Sequence, residues 1–210
     1  MIRAYSELYL ADARRSLANC FDYAANTMHI PLCDFYMMFA GSDIAPRFEK
    51  GDPFIVSGRS GIELALLVIE KATGKYDYIK RSHANGKSRE YWAGWALSFY
   101  QWYSNISFRR INDTVPVTVV LDMYDKYHEM DIMQFTDRMN ELRAGTRLGC
   151  YLKKYREQKG FSQSELSHLT DIPLRTLQHY EQGTKSLERA NVSYLVALSK
   201  VLDCEISELL

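Results

Sequence analysis

The chain has 210 residues, 47% of them hydrophobic and 25% charged, and its 26 Lys and Arg balance 26 Asp and Glu to a net charge of zero. That composition excludes wholesale disorder, and the neutral balance excludes a generally basic coat protein while leaving room for one basic face. The length suits two small domains if a boundary exists.

The opening MIRAYSELYLADARRS has no continuous apolar core, so it does not read as a signal peptide. The most apolar run, Ile62 to Ile69, is too short to span a bilayer. Four cysteines (Cys20, Cys33, Cys150, Cys204) form no C-x-x-C pair and match neither zinc spacing nor a secreted disulfide framework. They fit a reducing compartment, and the expectation is a cytoplasmic protein without membrane, metal or cofactor.

Hydrophobic spacing is helical almost throughout, which predicts an all-α fold. Ser6 to Met28 carries Leu8, Ala11, Leu17, Phe21 and Ala25 at helix intervals. Pro31 opens a second helix with Leu32, Phe35, Tyr36 and Phe39. Lys50 to Gly61 reads as a loop. Ser60 and Glu63 have capping-box spacing and start a helix that Gly74 ends. Tyr76 to Lys87 reads as a polar connection, and Arg89 to Ser104 as a helix loaded with aromatics. Thr114 to Leu121 is β-branched enough for a strand, but Pro116 favours the first turn of a helix reaching about Tyr127. Asp131 to Arg143 is a further helix. Ala144-Gly145 breaks the pattern, placing a boundary between domains 1–145 and 146–210.

In the second domain Leu148, Tyr151, Leu152 and Tyr155 make one apolar helix face, ended by Gly160. Ser162 caps a short helix, Gln163 to Leu169, with Glu165 as the capping-box acid. Thr170-Asp171-Ile172 forms a tight connection to Pro173, in the first turn of a third helix. That helix turns Leu177 and Tyr180 inward and Leu174, Arg175, Gln178 and His179 outward. Two more apolar helices follow, Asn191 to Leu202 and Glu205 to Leu210. Two short helices joined by a turn and packed by three others make a five-helix helix-turn-helix module. The second helix of such a pair fits the major groove, where Arg reads guanine and Gln reads adenine through paired hydrogen bonds.

The run SQSELSHLTDIPLRTLQHYEQG resembles the core of the XRE, or lambda-repressor-like, helix-turn-helix family. Ser162, Gln163, Leu166, Ile172, Thr176, Leu177, Tyr180, Glu181 and Gly183 fall in that family's register. The resemblance covers about a third of the chain and implies a DNA-binding transcriptional regulator, a repressor in the family's usual sense, with its recognition helix at about 173–181. It implies a capping Ser162 at the interface and Gln163 on a phosphate. Arg175, Gln178 and His179 would read bases, Leu174 would meet a thymine methyl, and Thr176 and Lys185 would touch phosphates. Asp171 stands where the family has a small residue, implying a slightly opened turn; Ser167 replaces Ala, and Gln182 replaces Asn. From 146 to 200 there are nine basic and five acidic residues, an excess of four that suits phosphate contacts. Two half-sites need two reading helices, so a homodimer on an operator is expected.

Residues 1–145 are less explicit. They contain no G-x-x-x-x-G-K-[ST], H-E-x-x-H or G-x-S-x-G pattern, and no enzyme is expected. Ser57, Arg59 and Ser60 form a loop feeding a helix N-terminus, which has the makings of an anion or ligand loop; a plain capped loop is the preferred reading. EYWAGWALSFYQWY is core by spacing, with aromatics to spare for a pocket or partner surface. YLADARRSLANCFDYA, FEKGDPFIVSGRSGIELA and WAGWALSFYQWYSNISF resemble bacterial proteins with a helical front and an XRE tail. That resemblance assigns no residues, but it implies an alternative: an antitoxin whose first domain neutralises a toxin while the second autoregulates the operon.

Overall fold

The computed structural model describes residues 3–75, 78–80, 87–145 and 150–209. Among these every regular element is helical. The chain divides into two compact units, Met1–Arg143 and Ala144–Leu210.

The first unit is built on α1, Leu10–Asp22, which passes into a π-helical turn, Tyr23–Thr27. Then come α2, Leu32–Gly41; α3, Ile44–Glu49; α4, Pro53–Val56; α5, Gly61–Thr73; and α6, Arg89–Ser104. The unit ends with α7, Phe108–Thr114; α8, Val117–Asp122; α9, Tyr124–Tyr127; and α10, Ile132–Gly145.

Cap chemistry explains most of the boundaries. Ser60 Oγ accepts the Glu63 N–H while the Glu63 carboxylate accepts the Ser60 N–H, a complete capping box at the start of α5. Gly74 closes α5 in the left-handed region at φ 71°, where a side chain would be strained. Ser88 and Ser107 cap α6 and α7 in the same way. Pro116 stands at the N-cap position of α8, so the β-branched run 114–121 forms no strand: Val115 and Pro116 are an extended link between α7 and α8, and the run is helical from Val117 on. Asp52 caps α4 from within the stretch expected to be loop, with Pro53 at its first turn.

The core of this unit is aromatic. Phe21, Tyr36, Phe39, Phe48 and Phe108 are all essentially inaccessible and meet edge to face, Phe39 and Phe108 with centroids 5.1 Å apart. Each such ring contributes about 1.5–3 kcal/mol by burial, and the edge-to-face geometry adds a further increment. α1 lies directly along α6. A Cβ on Gly94 would meet the Leu17 carbonyl oxygen at 2.6 Å and the Ala18 Cα at 2.9 Å, so the absence of a side chain permits that approach. Of the aromatic run on α6, Trp92, Phe99, Tyr100 and Trp102 are buried, in keeping with the core reading, while Tyr91 and Trp95 stay half-buried. Most of the connection 76–87 lies outside the described residues, but Ile79 is anchored: Tyr23 Oη donates to its carbonyl at 2.7 Å and accepts its N–H at 3.1 Å.

The second unit contains α11, Cys150–Gln158; α12, Gln163–Thr170; α13, Leu174–Glu181; α14, Val192–Leu202; and α15, Ile206–Leu209. Leu152, Leu166, Ile172, Leu177, Leu198 and Leu202 pack into its core. Leu148, expected on the apolar face of α11, lies outside the described residues.

Candidate nucleic-acid interface

α12 and α13 form the helix pair. Ser162 Oγ accepts the Glu165 N–H at 3.1 Å, and Glu165 Oε2 accepts the Ser162 N–H at 2.7 Å. The Ser162 N–H and then the Ser162 hydroxyl, both donating to it, hold the Glu165 carboxyl below the usual carboxylate range. Ser162 is therefore committed to the cap through its backbone N–H and its hydroxyl alike.

Asp171 adopts the left-handed conformation, φ 55° and ψ 30°, as the C-cap of α12. Asp tolerates that region better than most residues. Ser167 Oγ donates to the Ile172 carbonyl at 2.6 Å, spanning the turn from inside α12. Ser167 thus clasps the turn that Asp171 begins.

Behind the pair lies a buried ion pair. Arg156 of α11 donates from Nε to Glu181 Oε1 at 2.6 Å and from Nη2 to Oε2 at 3.1 Å. Its Nη1 donates to the Phe161 carbonyl at 2.7 Å. The side chains are 9% and 2% exposed, and the Glu181 carboxylate raises the Arg156 pKa further above its ordinary value. Arg156 was counted from the sequence as part of a basic surface; it is instead a neutralised strut between α11 and the end of α13. Its spacing of four from the buried Leu152 is the signal that could have placed it inward.

Glu181 also receives Gln163. Gln163 Nε2 donates to Glu181 Oε2 at 2.6 Å, and Gln178 Nε2 approaches Gln163 Oε1 at 3.5 Å. The chain Arg156–Glu181–Gln163–Gln178 therefore runs from the core to the outward side of α13. It leaves one amide hydrogen of Gln163 for a phosphate and settles which way the Gln163 carbonyl points.

Leu177 and Tyr180 face the core as expected. Leu174 and Arg175 are exposed, and Thr176, Gln178 and His179 are half-buried. His179 is turned back toward the following loop: its Nδ1 lies 2.8 Å from Thr184 Oγ1, which donates to the His179 carbonyl at 3.1 Å. The Nδ1 edge of His179 is thereby engaged within the chain. Lys185 is exposed just beyond.

In the first unit Ser57, Arg59 and Ser60 line a polar surface hollow of about 450 Å³ together with Arg15 and Asn19. Glu63 occupies both the Ser60 N–H and its hydroxyl. The loop's own carboxylate therefore sits where an anion would bind, which favours the capped-loop reading. Among the described residues no group of three or more His, Cys, Asp or Glu is placed to hold a metal.

Residues 152–209 match the helix-turn-helix family model, HTH_3. No curated protein and no solved structure matches the chain. The match covers the five helices of the second unit from Leu152 of α11 onward and does not reach the first unit.

Proposed function

We propose that this chain, which carries a helix-turn-helix domain over residues 152–209, is a sequence-specific, non-enzymatic transcriptional regulator that lays α13 in the major groove. The observation that carries the reading is the outward face of α13. It offers Arg175 and Gln178, the two residue types that make paired hydrogen bonds to guanine and adenine edges. Behind them the Arg156–Glu181–Gln163 chain holds the helix pair rigid and orients the Gln178 amide. Ser162, Gln163, Thr176 and Lys185 flank that face as phosphate contacts, Leu174 meets a thymine methyl, and His179 contributes only its Nε2 edge.

The partner on this reading is a double-stranded operator, bound by a homodimer because one α13 reads only a half-site. The antitoxin alternative shares this DNA chemistry and differs in giving the first unit a toxin to bind. The test is enrichment of genomic fragments by the purified protein at about 150 mM salt, where screening is physiological. The wild type is expected to enrich one or a few sites, and Arg175→Ala/Gln178→Ala to lose them. Equal capture of all fragments by both proteins refutes sequence-specific reading. Copurification of a neighbouring gene product with the full chain separates the antitoxin alternative from a regulator acting alone.

A further inference from the structure

The first unit contains a second cavity that the DNA reading does not use. It has a volume of about 180 Å³ and is lined by Lys87, Tyr91, Trp92, Trp95, Tyr124 and His128. Five of its six lining side chains are rings. Trp92 is buried at 6% exposure, Tyr91, Trp95 and Tyr124 are half-buried, and Lys87 and His128 are exposed. The rings are mutually braced: Trp92 meets Tyr124 edge to face at 5.8 Å, and Tyr124 stacks on His128 at 4.4 Å. His128 is held in turn by the Tyr124 carbonyl, 2.8 Å from its Nδ1. Such a preformed wall binds without first being ordered.

Size and charge together define the occupant. An apolar cavity of about 150 Å³ takes up benzene, so this one suits a single ring with a small substituent. The ring faces are already supplied with cations. The Arg14 guanidinium lies 3.4 Å over Trp95, and the Lys87 ammonium lies 5.4 Å from the Tyr91 centroid. A quaternary ammonium, the usual guest of an aromatic cage, would meet like charge here. Among the described residues no carboxylate lines the cavity; Glu129, 86% exposed, stands 3.6 Å from His128 Nε2 at its rim, and Glu90, beside Tyr91 on α6, is engaged by Arg89 and Asn26.

We propose that this cavity is a binding site for a small one-ring aromatic monoanion, its ring stacked among Trp92, Trp95 and Tyr124 and its carboxylate or phenolate paired with Lys87. The site lies wholly within Met1–Arg143, and its test involves no DNA, so it stands or falls separately from the operator reading.

The probe is benzoate, with benzyltrimethylammonium as its cationic counterpart. The chain has three tryptophans, whose indole N–H signals give three reporters, each assigned by its Trp→Phe variant. Benzoate is expected to shift the Trp92 and Trp95 signals saturably. Trp102, whose Nε1 donates to the Tyr5 carbonyl at 2.9 Å away from the cavity, is expected to stay put. Lys87→Gln is expected to weaken benzoate about threefold, the size of one exposed ion pair. Lys126→Gln, which removes a similar lysine from over Tyr127, is expected to leave binding unchanged. Failure of benzoate to saturate, equal or tighter binding of the cation, or indifference to Lys87→Gln overturns the proposal.

Discussion

Glu49 ends α3 with its Oε1 accepting the Phe108 N–H at 2.6 Å, at the first residue of α7. Burial pushes its carboxyl up from 4.5 to about 7, against the Phe108 N–H and Lys50, which pull it down. The folded chain thus holds this proton more tightly than the unfolded one. The group's contribution is most favourable below about pH 4.5 and is lost as the pH rises through about 7. The full penalty above that range is about 3–4 kcal/mol, each unit of displacement being worth about 1.4 kcal/mol. Glu49→Gln keeps the carbonyl acceptor and removes the charge. Melting temperature is expected to change little at about pH 5 and to rise by several degrees at about pH 8; an equal change at both would show that the effect is not ionisation. Arg156 and Glu181 present the opposite case, a pair whose charges satisfy each other out of water. Arg156→Met removes the guanidinium donors of the Phe161 carbonyl and of a buried carboxylate, whose charge is left uncompensated, and is expected to cost about 3–5 kcal/mol in denaturant unfolding of the second unit. The double variant Arg156→Met/Glu181→Leu is expected to recover much of that loss, because two apolar side chains need no partners. If the double variant is no better than the single one, the shape of the pair matters more than its charge.

Elements became legible in the sequence where a residue type announces an end. Ser60 with Glu63, Ser162 with Glu165, Asn191, Pro31 and Gly74 all sit at helix boundaries because each satisfies or avoids an orphan backbone group. Helices α3, α4 and α7 were not legible, being four to seven residues long; two turns or fewer give too few positions for a 3.6-residue period to show. The π turn at Tyr23–Thr27 has no sequence mark at all and is held by tertiary hydrogen bonds such as Asn26 to Asp22 and Glu90. At the interface the outward residues of α13 followed from periodicity. The Arg156–Glu181–Gln163 chain did not, because its members are 25 and 18 positions apart and only packing joins them. The close approach of α1 and α6 is testable at this scale. Gly94→Ala drives a methyl group into the Leu17 carbonyl, and backbone cannot swing aside as a side chain can. It is expected to destabilise the first unit by about 1–3 kcal/mol, the usual range for overpacking, read as a lower denaturant midpoint. Ser162→Ala, which removes one cap from the edge of α12, is expected to cost about 1 kcal/mol in the second unit. A larger effect for Ser162→Ala than for Gly94→Ala would reverse the ranking of caps against helix packing.

For the whole molecule the relevant quantity is charge. The chain is neutral overall, so long-range attraction to DNA is weak and the phosphate contacts must come from a few residues on one face. Positions 146–200 hold nine basic and five acidic residues. Arg156 and Glu181 cancel inside that count as a buried pair, which leaves the excess of four unchanged. Lys159 is partly diverted to Asp203 at 3.3 Å, and Lys153 sits 3.8 Å from Glu157. Arg175, on α13, and Lys185, just beyond it, are both exposed, and on the proposed reading they are the cations that meet DNA. Affinity for an operator is therefore expected to fall with salt along a shallow slope, each phosphate contact contributing about 0.9 to the logarithmic slope. Arg175→Ala and Lys185→Gln are expected to differ in kind. Arg175→Ala should narrow the gap between operator and random DNA by about 1–3 kcal/mol, the value of one paired base contact. Lys185→Gln should weaken both DNAs alike and reduce the salt slope by about one. Titrations of both duplexes between about 50 and 200 mM salt separate the two outcomes. If Arg175→Ala changes the slope and leaves the preference intact, α13 touches the backbone rather than the bases, and the bases must be read elsewhere.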